Sequence, residues 1–401
     1  MALCCLIVFM AQMATTVYLP SLPTVMAELG MTQGMVELSI SAFVVGAALP
    51  VLFWGWAADR WGRRGPLLGA LSLFAATSLL LAAAAGATEL LVLRTLQGVA
   101  AGGAAIIARI IVRDNWQGDE LARRLSVLSI AFITALGGGQ FAGGLIARYS
   151  HWQSGFLLMA ATSAAAIALS FSLPMDGGRR AAGGGTDAQP KGTPKGTPTG
   201  TIRSGGLGIY LSILVRPGFF WPACAGGLGF ATTVTLQEVS PFLFEEKFHL
   251  PPTGFGTIGL LIGLAYFSGA LLVNRKVAHV GGRRLMQTGA RLIGAATGAM
   301  LLLRLLGFLE GTSGLVVFTG LYCLTTFGQA VLFPNSMATA VSDCRSHGAH
   351  AMALAGFLQQ TLAGVAATAS VLFHSDSRWA PAVFVLGGLT LLQVSLTLRR
   401  S

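Results

Sequence analysis

Charged residues are scarce in this sequence. They make up 10% of its 401 residues, against roughly 25% in soluble domains, whereas 54% are hydrophobic and the mean hydropathy is +0.70. A chain of this composition has too little polar surface to cover a water-soluble globule. The composition therefore predicts a polytopic membrane protein.

The sequence also lacks the usual marks of an enzyme or a metalloprotein. Its five cysteines do not have the spacing of metal ligands or of a disulfide framework, and we interpret them as small apolar fillers. A phosphate-binding loop of the form G-x-x-x-x-G-K-[ST] does not occur, which argues against ATP hydrolysis. We therefore expect no enzymatic activity, no metal and no cofactor.

Basic residues are present, but they are unevenly distributed. The formal net charge is +11, and most of the 26 Lys and Arg residues fall in loops on one side of the apolar runs. This asymmetry is typical of cytoplasmic loops and predicts that both termini lie in the cytoplasm. The charge thus reflects membrane topology, and we do not expect nucleic acid as a partner.

Long apolar runs dominate the rest of the chain. Each is close to the roughly 20 residues that a helix needs to cross a bilayer. Their number predicts an all-α membrane protein with twelve transmembrane helices. The approximate runs are 2–27, 35–57, 66–86, 89–112, 126–147, 153–173, 217–240, 254–273, 286–308, 312–334, 349–373 and 380–398.

Residues 174–216 interrupt this pattern. They include three consecutive glycines at 183–185 and a repeated Pro-Lys-Gly-Thr at 190–193 and 194–197. Such a composition cannot bury an apolar face, and it predicts a flexible cytoplasmic linker. The linker would divide the chain into an N-terminal six-helix bundle, 1–173, and a C-terminal six-helix bundle, 217–401.

A charged turn joins the second and third apolar runs. Residues 55–67 fit the pattern G-x-x-x-D-R-x-G-R-R-x-x-L and resemble the cytoplasmic loop between helices 2 and 3 of the major facilitator superfamily. The resemblance implies two bundles related by a pseudo-twofold axis, with a ligand bound between them. It also implies a cytoplasmic gate motif, in which Asp59 braces the start of helix 11. The residues of this motif are Gly55, Asp59, Arg60, Gly62, Arg63, Arg64, Arg113 and Asp114.

Sequence patterns in helices 1 and 5 resemble those of one family within this superfamily. The Tyr-Leu-Pro-x-x-Pro segment at 18–23 is similar to that of the drug:proton antiporters with twelve helices, which include the bicyclomycin-resistance and EmrD-type multidrug exporters. Helix 5 has the last three glycines of the antiporter pattern G-x-x-x-G-P-x-x-G-G, with Gln140 in place of the proline. Thr16 stands where many members have an acidic residue, so a proton carrier must be sought elsewhere.

Two intramembrane charges are candidates for proton coupling. Arg94 lies three residues before Gln97 on one face of helix 4, and in the superfamily the helix-4 arginine is tied to proton coupling. An alternative is that Arg94 only binds loop carbonyls near the outer interface. Glu238 is the best intramembrane acid, about 31 Å of helix rise past Pro217. The alternative for Glu238 is a solvated residue at the mouth of a cavity.

Polar and aromatic side chains in several helices are candidates for a substrate cavity. Polar groups that face lipid are costly, so we expect them to point inward, although many such groups serve only to join helices. The candidates are Gln12, Thr16, Tyr18, Phe43, Gln97, Arg109, Phe132, Gln140, Thr235, Tyr266, Tyr322, Thr326, Gln329 and Gln359.

The resemblance predicts a secondary active exporter. 

It would move amphipathic drugs or other toxic compounds outward by alternating access, driven by protons that move inward. Its partners would be the small-molecule substrate, protons and the lipid bilayer, and it would act as a monomer in the bacterial inner membrane. Two alternatives remain at this point: an exporter of a metabolite such as a sugar, amino acid or siderophore, and a membrane sensor that does not transport.

Overall fold

The computed structural model describes residues 1–48, 50–116, 118–172, 206–308, 311–342, 344 and 348–372. Within these ranges the regular secondary structure is helical. The first part of the chain contains α1 (Ala2–Thr16), α2 (Leu22–Glu28), α3 (Gln33–Ala48), α4 (Val51–Trp61), α5 (Arg64–Ala82), α6 (Ala87–Asn115), α7 (Gly118–Tyr149) and α8 (Gln153–Phe171). The second part contains α9 (Gly206–Leu214), α10 (Pro217–Phe242), α11 (Pro252–Val280), α12 (Gly282–Leu305), α13 (Gly311–Ser342) and α14 (Gly348–Leu372).

All but the last of the twelve predicted apolar runs coincide with described helices, and the run at 380–398 lies outside the described residues. Eight of the described helical segments are long and apolar enough to cross a membrane. The first two runs are each broken. A 3₁₀ turn (Leu19–Ser21) separates α1 from α2, and Pro50 precedes α4. Proline lacks a backbone N–H and clashes with the preceding turn, which explains both breaks.

The end of the predicted linker is a helix, so the linker prediction for 174–216 is corrected there. Helix α9 packs against α10 and α14. Its Ile213 is buried in a cluster with Phe219 and Leu354, and Tyr210 and Leu214 pack against the same cluster. Apolar residues at positions 210, 213 and 214 form one helical face, a pattern that the Gly-rich composition upstream does not share. Residues 173–205 lie outside the described part of the chain.

Each half is held together by extended helix–helix contacts. In the first half α6 packs against α3 and α5, while α1 packs against α7. In the second half α13 packs against α10, α11 and α12. The halves meet where α7 lies along α11 and where α3 lies along α14. One cluster of buried apolar side chains includes residues from both halves.

Glycines line the contact between α7 and α11. A Cβ atom added to Gly144 would lie 2.6 Å from the carbonyl oxygen of Pro252 and 3.1 Å from Cα of Gly256. A Cβ atom on Gly263 would lie 2.9 Å from Cα of Gly137. Small residues of this kind let two membrane helices bring their backbones into contact. The contact lies toward the end at which α7 leads to α8 and α10 leads to α11, which we call the distal end.

Replacement of Gly144 by Ala should separate the halves at this contact. The new methyl group would meet the backbone of α11, and overpacking of this kind costs about 1–3 kcal/mol. We therefore expect a lower melting temperature in detergent. Gly138→Ala is the matched control, because no atom of the described residues lies within 4 Å of a Cβ at Gly138 and alanine favours a helix. Equal melting temperatures for the two variants would contradict the packing described here.

Candidate functional site

The charged turn lies at the end of the molecule opposite the distal end. Gly62 has φ +85°, a left-handed conformation that glycine adopts without strain, and it ends α4. Arg63 Nη1 donates to the carbonyl of Ala58 (2.6 Å), which closes the turn. Arg63 Nε also binds Asp114 Oδ2 (2.9 Å), and Arg113 Nη2 lies 3.3 Å from Asp114 Oδ1. The turn is thereby tied to the end of α6.

The other residues predicted for the gate motif are placed differently. Arg60 lies over the ring of Trp56 (5.8 Å), and Arg64 lies over the ring of Phe171 (5.3 Å). Gly55 lies on α4 beside open space as far as the described residues extend. Asp59 lies on α4, but its side chain and those at the start of α14 are outside what the structure describes. The predicted contact of Asp59 with helix 11 therefore stays a prediction.

Among the described residues, Arg94 is the largest fully buried side chain. Its Nη1 donates to Gln97 Oε1 (2.7 Å) and to the carbonyl of Ala14 (3.1 Å). The Ala14 carbonyl belongs to the last turn of α1, where helix carbonyls lack partners within the helix. The arginine thus binds a helix end and not a loop.

Aromatic rings surround the guanidinium of Arg94. Its Cζ lies 4.6 Å from the ring centre of Phe43, 4.8 Å from that of Tyr18 and 6.0 Å from that of Phe156. Within the described part of the chain, Nε and Nη2 have no hydrogen-bond partner. These two groups form the edge with which arginine binds a carboxylate in bidentate fashion.

Gln97 extends the Arg94 cluster toward α5 and α8. Its Nε2 donates to Ser78 Oγ (2.8 Å) and lies 3.6 Å from the sulfur of Met159. The Ser78 hydroxyl in turn donates to the carbonyl of Phe74 (2.6 Å). The polar cluster is therefore anchored to three helices of the first half.

Glu238 lies at the contact between the halves. It is fully buried near the distal end of α10, and its Oε1 accepts a hydrogen bond of 2.7 Å from Ser41 Oγ on α3. In this structure Glu238 is therefore a buried group that binds the opposite half, and not a solvated residue at a cavity mouth.

Three further predicted cavity residues lie at the same contact. Gln140 is buried, and its Nε2 donates to the carbonyl of Phe255 on α11 (3.2 Å). The rings of Phe132 and Tyr266 face each other across α7 and α11 with centres 6.1 Å apart. The antiporter pattern has a helix-kinking proline at this position, whereas Gln140 forms a hydrogen bond between the halves.

Several predicted cavity hydroxyls bind helix carbonyls. Thr235 donates to Ala231 (3.0 Å) and Thr326 donates to Tyr322 (3.0 Å) in the same helix, whereas Thr16 donates to Ala135 of α7 (2.9 Å). In these cases the polar group serves packing in this conformation.

The remaining cavity candidates vary in exposure. Tyr322 is buried beside Phe318, with ring centres 6.3 Å apart. Gln329 is also buried, and its amide is best oriented to donate to the carbonyl of Gly229 (3.1 Å). Gln12 and Gln359 are half-buried. Arg109 has an exposed side chain about 18 Å along α6 from Gln97, so the structure does not bring it to the Arg94 cluster.

Sequence reasoning missed two residues on α3. Glu37 is 1% exposed, and Ser41 is fully buried. A signal was present, because Gln33, Glu37 and Ser41 recur every four residues and form a polar stripe on an otherwise apolar helix.

These features define a membrane transporter. Two helical halves, buried polar groups where they meet and a charged turn at one end are what a carrier with a ligand between its halves requires. A family model described as Major Facilitator Superfamily matches residues 4–368. The chain belongs to this superfamily, and it is a multi-pass membrane transporter and not an enzyme.

Relatives with similar sequences are bacterial transporters. The MFS-type transporter YdgK of Bacillus subtilis is 26% identical over 369 residues, which cover 88% of this chain and 85% of that protein. The bicyclomycin resistance protein homolog of Haemophilus influenzae is 22% identical over 380 residues, or 94% of this chain and 89% of that protein. Multidrug resistance protein MdtL of Escherichia coli O157:H7 is 34% identical over 155 residues, or 38% of this chain and 39% of that protein.

Solved structures show the same fold. A D-xylose-proton symporter has a TM-score of 0.78 at 14% identity and covers 99% of this chain and 96% of its own. A POT family transporter in complex with 5-aminolevulinic acid has a TM-score of 0.76 at 12% identity, with coverage of 99% and 94%. The fold class predicted from the sequence is confirmed.

Replacement of Asp114 by Asn should impair transport without destabilising the fold, because it removes the ion pair between Arg63 and Asp114. The ion pair is partly exposed, so its loss should change the free energy of unfolding by no more than about 1 kcal/mol. If the pair latches the end of α6 to the turn, transport of a fluorescent lipophilic cation should nevertheless fall several-fold. Asn115→Ala is the control, because Asn115 is the exposed neighbour that binds only the carbonyl of Ile111 among the hydrogen bonds described. Unchanged transport by Asp114→Asn would contradict a role of this ion pair in transport.

Proposed function

We propose that the protein is a proton-coupled exporter of amphipathic compounds in the bacterial cytoplasmic membrane. The observation that carries the proposal is Glu238, a fully buried acid that binds Ser41 of the opposite half. The two bundles, 1–173 and 217–401, would rock about a substrate held between them and remain joined by 174–216. Both termini and the arginine-rich turn would face the cytoplasm, and the monomer would be the working unit.

Burial of Glu238 links its protonation to the movement of the halves. An ionised carboxylate is expensive to hold in a low-dielectric interior. The closed distal end therefore favours the neutral form of Glu238, whereas an open distal end would expose the carboxyl to water and allow it to ionise. Protons bound on one side and released on the other would drive the cycle.

Arg94 would support this coupling from within the first half. The surrounding aromatic rings and the hydrogen bonds to Gln97 and Ala14 fix the guanidinium in place. The edge formed by Nε and Nη2 is left for an anionic partner. Ala14 belongs to α1, so a change at Arg94 would be transmitted directly to a helix that also contacts α7. This arrangement suits a residue that senses charge as the halves move.

The substrate class follows from the surroundings of the contact between the halves. Aromatic rings, such as the Phe132–Tyr266 pair, offer apolar surface, and fixed charge is sparse there in the described residues. Such surroundings favour lipophilic or cationic compounds over phosphorylated ones, which would need clustered Arg or Lys. The names of relatives, bicyclomycin resistance protein homolog and multidrug resistance protein, support drug efflux.

Glu238→Gln should abolish proton-driven transport and leave the fold intact. In inverted membrane vesicles, we expect proton-driven uptake of ethidium to fall to the level of vesicles without the protein. Exchange of ethidium across vesicles without a gradient should persist, because Gln resembles the protonated acid. Glu89→Gln is the control, since Glu89 is exposed and binds the backbone of Ala85. Undiminished proton-driven uptake by Glu238→Gln would refute the proposed coupling.

Arg94→Ala and Arg94→Lys should both impair coupling. Lysine keeps the charge but cannot offer the planar edge of arginine. Hydrogen bonds to charged groups contribute about 1.5–3 kcal/mol, so proton-driven uptake should fall by roughly 10- to 100-fold. Unchanged uptake of ethidium by Arg94→Lys would show that the edge has no role.

A matched comparison separates drug export from metabolite export. Cells with and without the gene are compared for survival in lipophilic drugs and for secretion of sugars, amino acids and siderophores. Drug export predicts that only drug survival changes. A change confined to secretion would replace the proposed substrate class.

A further inference from the structure

The proposed function leaves one buried acid unused. Glu37 is 1% exposed near the start of α3, and its Oε1 accepts a hydrogen bond of 2.7 Å from Gln33 Nε2. Acids within membrane-spanning helices are costly and are usually functional. Glu37 is therefore a candidate for a role in the transport cycle.

The face of α3 that carries Glu37 lies against the second half. One turn further along, Ser41 donates to Glu238 of α10. One more turn along, Val45 lies against α14, where a Cβ on Gly364 would be 2.6 Å from Val45 Cγ2. Residues four apart share a helical face, with Cβ atoms about 5–6 Å apart. Glu37 thus lies about one helical turn from the Ser41–Glu238 bond.

Other ionisable groups also lie near this end. Tyr18 binds Ser39, Glu28 accepts a bond from Trp152 Nε1 (2.6 Å), and Arg94 binds Gln97. On the second half, Tyr322 is buried on α13, while Glu245 and Lys247 follow α10 in a π-helical turn. Glu37 and Glu238 are the two buried carboxyl groups among the described residues at this contact.

We propose that Glu37 is a second proton-binding group, which acts with Glu238 to close the distal end. This inference rests on the proposed function and deepens it. When the distal end is open, both carboxyl groups meet water, and a proton from that water binds a carboxylate oxygen. Glu238 is bonded to Ser41, and Glu37 lies one turn from Ser41 on α3. Two like charges buried in the same region repel each other, so uptake of the proton is needed before the halves can close. The proton leaves to water on the other side after the halves reopen there.

The test is the pH dependence of ethidium exchange in liposomes that contain the full-length protein. Removal of the Glu37 charge makes a proton on Glu238 easier to lose. The pH of half-maximal exchange should therefore fall by about one unit in Glu37→Gln. Glu37→Asp keeps the carboxylate and should restore the pH response of the unaltered protein, whereas a residue with only a structural role would not move the midpoint.

Matched variants complete the test. Ser41→Ala removes the bond to Glu238 and should also shift the midpoint, whereas Ser39→Ala removes a bond to Tyr18 and Val36 and should not. Glu89→Gln should leave the profile unchanged. If Glu37→Gln keeps the unaltered midpoint while Glu238→Gln abolishes proton-driven uptake, this inference is wrong and the proposed function stands. If Glu238→Gln also transports normally, the proposed function itself fails.

Discussion

Backbone meets backbone where α7 crosses α11, and this close approach holds the halves together at the distal end. The approach is possible only because Gly137 and Gly144 face Gly256 and Gly263 without intervening side chains. In a bilayer, apolar side chains gain little from leaving lipid, so packing and hydrogen bonds must hold helices together. Gln140 of α7 binds the carbonyl of Phe255 across this contact, and Glu238 of α10 binds Ser41 of α3 where the halves meet elsewhere.

The buried polar groups described here have two structural roles: some join helices of one bundle, and others join the two bundles. In the first half, Arg94, Gln97 and Ser78 form a cluster that joins helices of one bundle. At the contact of the halves, Ser41–Glu238 and Gln140–Phe255 join one bundle to the other. Under the proposed function the first set would stay intact as the bundles move, whereas the second set would break and form again. A transporter needs both, because rigid bundles require a contact that can be remade.

Much of the fold was accessible from the sequence, because apolar runs of membrane-spanning length report helices directly. The turn at 55–67 and the pairing of Arg94 with Gln97 were also accessible, since they depend on local spacing. The breaks at Pro20 and Pro50 lie inside apolar runs, where hydropathy does not register them. The apolar face of α9 is hidden in the sequence because the Gly-rich composition of the preceding residues dominates 174–216 as a whole. The face of a helix that meets the other half depends on tertiary packing, and so Gln140, Glu37 and Ser41 could not be placed.

The glycine-lined contact bears on the rate at which α7 and α11 could separate. Where side chains interlock, two surfaces can part only after rotamers change and neighbours repack. Where Gly137 and Gly144 of α7 meet Gly263 and Gly256 of α11, the touching atoms belong to the main chain, which has no rotamers to rearrange. At these positions the main chains could part without any change of rotamer, so side-chain repacking would not limit the rate of opening there.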